Sequence, residues 1–411
     1  MNRTVIILTI LLAGSAATAL AVWESVGPEG GPVDCIMQSN VNSNLFYASS
    51  GSYPVKIIRS SDEGSTWEQS GSCNYYFYSM GLGPTDILYG GSYGRIYVSE
   101  DEGQTWDSYS ISGFLFWDIT GHPSDESILY GAGYHYSGGG YRIAFARSTD
   151  GGSNWSVTDL STSCQGYGRC VAVSASDPDI IYVSGYRRDP YQPKLYKSTD
   201  GGDSFTEITY SGWSSDYYMY TVAVHPANPD IVLAGCYYNI YRSTDGGSSW
   251  TDVTSSMYYH YGLAFSEDDP NVAFSGGSSA IHRSLNEGVS WTRQTNGLPS
   301  GVYGTLALDW GNSAHVLTGC DNGIYRSTDT GDTWEESSDG MVIANVLAFN
   351  DVLVGDDYTL YLSAEDLGMY KTTDYGANWE ILGTPLGCGD VCAMASPTAT
   401  PNTVLAFEGT G

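Results

Sequence analysis

Short apolar segments alternate along this chain with polar turns, and the alternation is periodic. The stretch from Thr221 shows one unit: TVAVHP, ANPD, IVLAG, CYYN, IYRS, TDGGSS, WTDVT. Apolar runs this short, bounded by Pro, Asp, Asn and Gly, read as strands rather than helices. Each unit therefore supplies four consecutive strands. The third strand ends in a turn of the form Ser/Thr-x-Asp-x-Gly-x-x-Trp, here called the box. Its eight copies begin at Ser60, Ser99, Ser148, Ser198, Ser243, Ser284, Ser327 and Thr372, at intervals of 39 to 50 residues. Phe205 replaces Trp in the fourth copy and Asn286 replaces Asp in the sixth.

A repeat of this length means units that cannot bury their apolar faces alone and must pack against their neighbours. The box has the residues its turn requires. Ser243 and Asp245 can bond the backbone of their own loop, Gly247 can take a positive φ, and Trp250 returns as an apolar anchor. The positions Asp62, Asp101, Asp150, Asp200, Asp245, Asn286, Asp329 and Asp374 are accordingly assigned a structural role. These motifs resemble the Asp-box, or bacterial neuraminidase repeat, family of β-propellers, over nearly the whole chain after its N-terminus. The resemblance implies an all-β propeller of four-stranded blades, with relatives among sortilin-type, xyloglucanase-type and sialidase-like propellers. It also implies that the boxes lie away from any active site.

Eight complete units are expected, with residues 391–396 and 403–407 as the first two strands of a ninth. Trp23–Gly27 matches the strand that follows each box Trp, which makes it the expected closing strand. Because the ninth unit stops before its box, either a reduced blade closes the ring or the chain is part of a longer protein, the second being the preferred reading. Residues 1–21 read as a secretory signal peptide: Arg3, an apolar run from Val5 to Leu12, and Ala19-Leu20-Ala21 as cleavage site. The remainder, 22–411, is read as the propeller, secreted to an extracellular or periplasmic space, with no membrane span.

The formal net charge of −30 argues against nucleic acid as a partner, since phosphate binding needs a basic stripe. Of the 16 Lys and Arg, seven stand immediately before a box: Arg59, Arg147, Lys197, Arg242, Arg283, Arg326 and Lys371. Cys164 with Cys170, and Cys388 with Cys392, are candidate local disulfides, while Cys236 and Cys320 read as buried thiols. No cofactor or metal is assigned. Acidic loops such as SEDDPN offer oxygen ligands of the kind calcium takes, but no twelve-residue calcium loop is present.

In a propeller the loops leading into each first strand, and those joining second and third strands, share the face opposite the boxes. In this chain those loops are aromatic: CNYYFYSM, GFLFWDIT, SGWSSDYYMYT, SMYYHYG, GYHYSGGGY and CYYN. The first-to-second turns, such as HPSDES and HPANPD, are plain. Rigid aromatics suit stacking on sugar rings or gripping an extended peptide. The expected ligand-binding residues are Tyr76, Tyr78, Phe116, Trp117, Trp213, Tyr218, Tyr259 and Tyr261, and the expected partner is a polysaccharide or an extracellular protein.

The enzyme readings are weaker. A sialidase needs three Arg converging on a carboxylate, and the Arg-Ile-Pro segment that normally supplies the first is absent. A glycoside hydrolase needs two facing carboxylates. Asp118 beside Trp117 and Asp216 beside Tyr217 come first, ahead of Asp189, Asp321, Glu365 and Asp366, and nothing singles out a pair. The sequence thus favours a non-catalytic recognition propeller, with a xyloglucanase-like glycoside hydrolase as the alternative.

Overall fold

The computed structural model describes residues 32–50, 54–161, 165–253, 258–278, 280–299, 305–320, 323–341, 346–354, 357–364, 368–372, 380–381, 391–395 and 405–408. The chain divides into two units, Pro32–Met341 and a second comprising Met1–Gly31 with Val342–Gly411.

Within Pro32–Met341 the strands form seven consecutive four-stranded antiparallel blades. Their innermost strands are Val33–Gln38, Ser79–Leu82, the second half of Asp107–Gly121, Gly166–Val173, Met219–Val224, Gly262–Phe265 and Thr305–Leu308. The strand Asp107–Gly121 serves twice: its start is the outer strand of blade 2 and its end the inner strand of blade 3, so these two blades form one seven-stranded sheet. The stretch Gly113–Thr120, expected as a loop, is therefore strand. Each innermost strand touches the next, and the seventh touches the first, which makes the unit a closed propeller.

Burial follows position in the blade. The second strands, such as Phe46–Ser50, Val232–Cys236 and Val316–Cys320, are buried throughout because neighbouring blades cover both faces. Outer strands such as Thr251–Asp252 are exposed. The apolar core is a set of clusters between successive blades. One joins Tyr47, Val55 and Ile57 to Phe77, Met80 and Leu88; another joins Tyr182 and Leu195 to Val222, Val232 and Trp250.

The boxes are staples, as their chemistry required. In each of the first seven, the buried Ser hydroxyl donates to the Asp or Asn side chain and accepts the N–H of the box Gly, at 2.8–2.9 Å for the latter. The same Asp or Asn accepts the N–H four residues on, at 2.8–2.9 Å. Gly247 sits at φ 92°, where an added Cβ would lie 2.7 Å from Ile208. Asp374, in the eighth box, lies outside the described residues.

The basic residues before the boxes are latches between blades. Arg147 reaches Gly201 O and Asp203, Lys197 reaches Gly246 O, Arg242 reaches Glu287, and Arg283 reaches Thr330 O and Asp332, each in the next box. Arg59 pairs with Glu102 in the same way. Arg326 of blade 7 reaches back to Ser65 and Glu63 of blade 1. Blade 2 has Val98 at this position and no latch.

The seam between blades 7 and 1 is dense. Trp67 Nε1–H donates to Ser337 O (2.8 Å) and the Trp67 backbone N–H to Asp339 O (2.8 Å). Ser337 Oγ donates to Gly64 O, and Trp310 Nε1–H donates to Ser39 O (3.0 Å). All seven blades take four strands from contiguous chain, so the ring closes by packing rather than by strand exchange. The closing strand expected at Trp23–Gly27, like the leader at 1–21, lies outside the described residues.

The second unit contains an eighth four-stranded sheet, Val346–Val354, Asp357–Ala364, Gly368–Thr372 and Glu380–Ile381, and a two-stranded pair, Val391–Ala395 with Leu405–Glu408. Among the described residues these sheets are consistent with the expected eight units and partial ninth, while the closed contact cycle runs through the first seven.

Cys170 is a free thiol, its Sγ–H directed at Val222 O (3.7 Å), in place of the bridge expected with Cys164, which lies outside the described residues. The second expected bridge involves Cys388, also outside them. Cys236 is a buried free thiol and Cys320 is likewise buried. No helix among the described residues is long and apolar enough to cross a membrane.

Candidate functional site

The site begins with an irregularity in the innermost strands. Against their second strands, blades 1, 3, 4 and 5 slip register by one residue, at Asp34, Trp117, Arg169 and Tyr220. Blades 2 and 6 do the equivalent at the strand entry. Tyr78 N–H donates to Gly91 O (2.8 Å) and Tyr261 N–H to Gly276 O (3.0 Å), the glycines that Ser79 and Gly262 already face. A bulge leaves one residue out of the ladder and re-aims its side chain. All six of these residues line a single cavity of about 300 Å³ at the propeller axis. Beside them stands a second tier from all seven blades: Cys35, Ser79, Asp118, Cys170, Thr221, Gly262 and Thr305.

Arg169 is the basic residue of this lining. Its guanidinium lies 4.3 Å from the Trp117 ring centroid, 5.7 Å from Tyr186 and 5.8 Å from Tyr220. Arginine tolerates such stacking because its delocalised charge is weakly hydrated. The Nε of Arg169 and the Nε1 of Trp117 are both buried without a hydrogen-bond partner. Asp118 lines the cavity but is surrounded by protein, and burial pushes its carboxyl up to about 6. Opposing that, Ile119 N–H donates to its Oδ1 and Val171 N–H to its Oδ2, both at 2.9 Å. Burial, with Asp118 close by, raises the Cys35 thiol to about 12 and Cys170 well above its ordinary value, so neither is a nucleophile at neutral pH.

Around the mouth runs a crescent of tyrosines. From Tyr134 through Tyr167, Tyr186, Tyr218, Tyr220, Tyr261, Tyr259, Tyr237 and Tyr238 to Tyr258, consecutive ring centroids are 4.4–5.5 Å apart, across blades 3 to 6. The Tyr237 and Tyr259 hydroxyls share a 2.8 Å hydrogen bond, which joins a second-to-third-strand loop to a loop entering a first strand. These two loop classes do share a face. Tyr259 holds a left-handed backbone (φ 61°), a strain tolerated where a side chain must be placed.

Of the expected binding residues, Tyr78, Trp117 and Tyr261 line the cavity, and Tyr218 and Tyr259 belong to the crescent. Tyr76 packs edge-on against Tyr78 at 5.0 Å and is exposed. Phe116 and Trp213 are corrected: both are buried in the core between blades, Phe116 against Phe114 and Trp155, Trp213 against Tyr241 and Trp250. Asp216 is also corrected. It is buried and accepts from Tyr238 N–H (2.7 Å), Asn239 Nδ2 (2.9 Å) and Tyr241 O–H (2.8 Å), which makes it the brace of the CYYN loop. Asp34, Arg169 and Tyr220 escaped the sequence reading. Aligning the first strands as DCIMQ, YSMGL, WDITG, RCVAV, YTVAV and YGLAF puts all six bulged residues in one column.

Among the described residues no group of His, Cys, Asp and Glu is placed to hold a metal ion. No protein-family model matches the chain, and no curated protein matches it. Solved structures do. The GH74 xyloglucanase of Xanthomonas campestris is 14% identical with TM-score 0.64, over 91% of this chain and 71% of its own. The GH74 enzyme of Niastella koreensis is 18% identical with TM-score 0.65, over 92% of this chain and 70% of its own. YCF48 bound to D1 peptide is 15% identical with TM-score 0.52, over 73% of this chain and 94% of its own. At these identities the likeness is one of fold, and the fold is the β-propeller.

Proposed function

We propose that this protein is a secreted Asp-box recognition propeller that binds a glycan at the tyrosine-banked mouth of its ring, without cleaving it. The observation that carries the reading is the convergence of six bulged side chains on one cavity, with the tyrosine crescent as its bank. Exposed rings such as Tyr191, Tyr217 and Tyr258 offer flat apolar faces, while phenol hydroxyls at their edges meet sugar hydroxyls. Two of the similar folds are those of GH74 enzymes, one of them a xyloglucanase, which is consistent with a polysaccharide ligand. A protein partner is the competing source of the same contacts.

A second reading, glycoside hydrolysis, is favoured by one observation. Asp118, a carboxyl raised by burial toward the range of a general acid, shares the cavity with Asp34. Against it, both Asp118 oxygens are already held by backbone N–H groups.

The test is retention of the purified protein on plant and microbial polysaccharides, with reducing ends assayed in parallel. The recognition reading expects retention without turnover, weakened about tenfold by Trp117→Ala, as loss of one stacking ring of about 1.4 kcal/mol would do. Reducing ends that vanish with Asp118→Asn would replace it with the hydrolase reading. Binding only to proteins would refute the glycan.

A further inference from the structure

We infer that the cavity at the ring axis recognises a single carboxylate, that of a uronic acid residue carried by the glycan, with Arg169 as its anchor; this rests on the glycan reading above. Arg169 is the basic residue of the cavity lining, in a chain of 46 Asp and Glu against 16 Lys and Arg. Arg59, Arg147, Arg242, Arg283 and Arg326 all pair with carboxylates. Arg169 makes no ion pair among the described residues. Instead three aromatic faces surround it.

The carboxylate that follows Trp117 cannot serve. Asp118 has its two oxygens turned to the N–H groups of Ile119 and Val171. Asp34 also lines the cavity but forms no ion pair with Arg169 among the described residues. Two buried donors, Arg169 Nε and Trp117 Nε1, stand in the same lining without partners. A buried donor left unpaired is costly, and a ligand that supplies its acceptor relieves that cost. A planar carboxylate suits the guanidinium fork and binds more strongly than a neutral hydroxyl.

Volume and charge limit the ligand further. The cavity, about 300 Å³, is at the small end of ligand pockets, which suits one sugar residue rather than a threaded chain. A net charge of −30 repels a polyanion, so an isolated uronate at a chain end or branch fits and a polyuronide does not.

The experiment compares, by calorimetry on the whole protein, an oligosaccharide bearing one terminal glucuronic acid with the same compound reduced at its carboxyl group. The acidic form is expected to bind at least tenfold more tightly, and raising the salt from 20 to 200 mM should narrow the gap. Arg169→Gln should abolish the preference and Arg169→Lys should restore part of it. Should Arg169→Gln not fold, the wild-type comparison alone decides. Equal affinity for the two compounds would overturn the inference and leave the glycan reading standing. Binding of neither, with retention of neutral polysaccharides, would also overturn it; binding of no glycan at all would remove both.

Discussion

Trp67 is where the ring should break. Its indole is buried, its Nε1–H donates to Ser337 O (2.8 Å), and its backbone N–H donates to Asp339 O (2.8 Å), so one residue of blade 1 closes against blade 7. Trp106 occupies the same place in the second box but is half-buried, and its Nε1–H stays within its own hairpin, on Gly103 O (3.0 Å). Removing a buried Trp side chain costs about 3–5 kcal/mol, and a half-buried one about half that. Trp67→Ala should therefore destabilise the propeller by about 2 kcal/mol more than Trp106→Ala, read from urea midpoints at unchanged slope. Stability alone does not locate the damage, so hydrogen exchange should be followed by mass spectrometry. Faster exchange is expected in residues 55–73 and also in 323–341, some 270 residues away along the chain. Equal destabilisation by the two variants, with the Trp67→Ala change confined to 55–73, would refute closure at this seam.

Three further outcomes follow from the same structure. Hydrogen bonds from Thr105, Asn154, Ser204 and Ser249 hold Asp101, Asp150, Asp200 and Asp245 below the usual carboxylate range, Asp200 at about 2. A carboxyl lowered on folding contributes stability above its unfolded value of about 4 and loses it as pH falls through the folded value; Asp118, raised to about 6, contributes below about 4 and loses it as pH rises through about 6. His282, lowered to about 4 by burial, works against Asp118 between about pH 4 and 6.5, so the test lies below that window: tryptophan-monitored denaturation midpoints should fall as pH is lowered from about 4 toward about 2, and midpoints that hold would contradict the assignment. Ser243→Ala leaves the buried Gly247 N–H without its acceptor (2.8 Å) and should cost about 1–3 kcal/mol in a thermal melt, whereas the exposed Thr251→Ala should cost under about 0.5. Asp216→Ala removes the brace of the CYYN loop and should cost about 1–3 kcal/mol in a thermal melt, with weaker glycan retention because that loop carries Tyr237 and Tyr238 of the crescent; retention unchanged would refute the brace.

How much of this could be read from the chain depends on how local each feature is. The boxes were legible because Ser243, Asp245 and Gly247 complete their hydrogen bonds within six residues, so residue type and spacing carry the geometry. The aromatic face was legible as a face, since Tyr237 and Tyr259 do meet there, but not residue by residue. Asp118 and Asp216 look alike in sequence, each an acid beside an aromatic. Asp118 follows a bulge on an inner strand and lines the cavity, while Asp216 follows the short 3-10 turn Ser211–Ser215 and is drawn inward onto Tyr241. Phe116 and Trp117 differ by one place along a strand, which is enough to send one ring to the core and the other to the cavity.

Ring closure is the least local feature of all. It depends on how each blade sits against the next, which is set by clusters such as Tyr47–Ile57 against Phe77–Leu88 and by latches that cross between boxes. The repeat count says how many blades are available, not how many complete a turn. The basic residues before the boxes were visible as a pattern, yet their meaning appears only when Arg326 is seen to return to Ser65 and Glu63 after seven blades. The same geometry explains why the site needs the closed ring. Asp34 and Thr305, 271 residues apart in the chain, line one cavity only because blade 7 packs on blade 1, where Ile36 N–H donates to Thr305 Oγ1 (2.9 Å). A variant that opens the seam should therefore lose ligand at a denaturant concentration where its individual blades still hold their β-sheet signal.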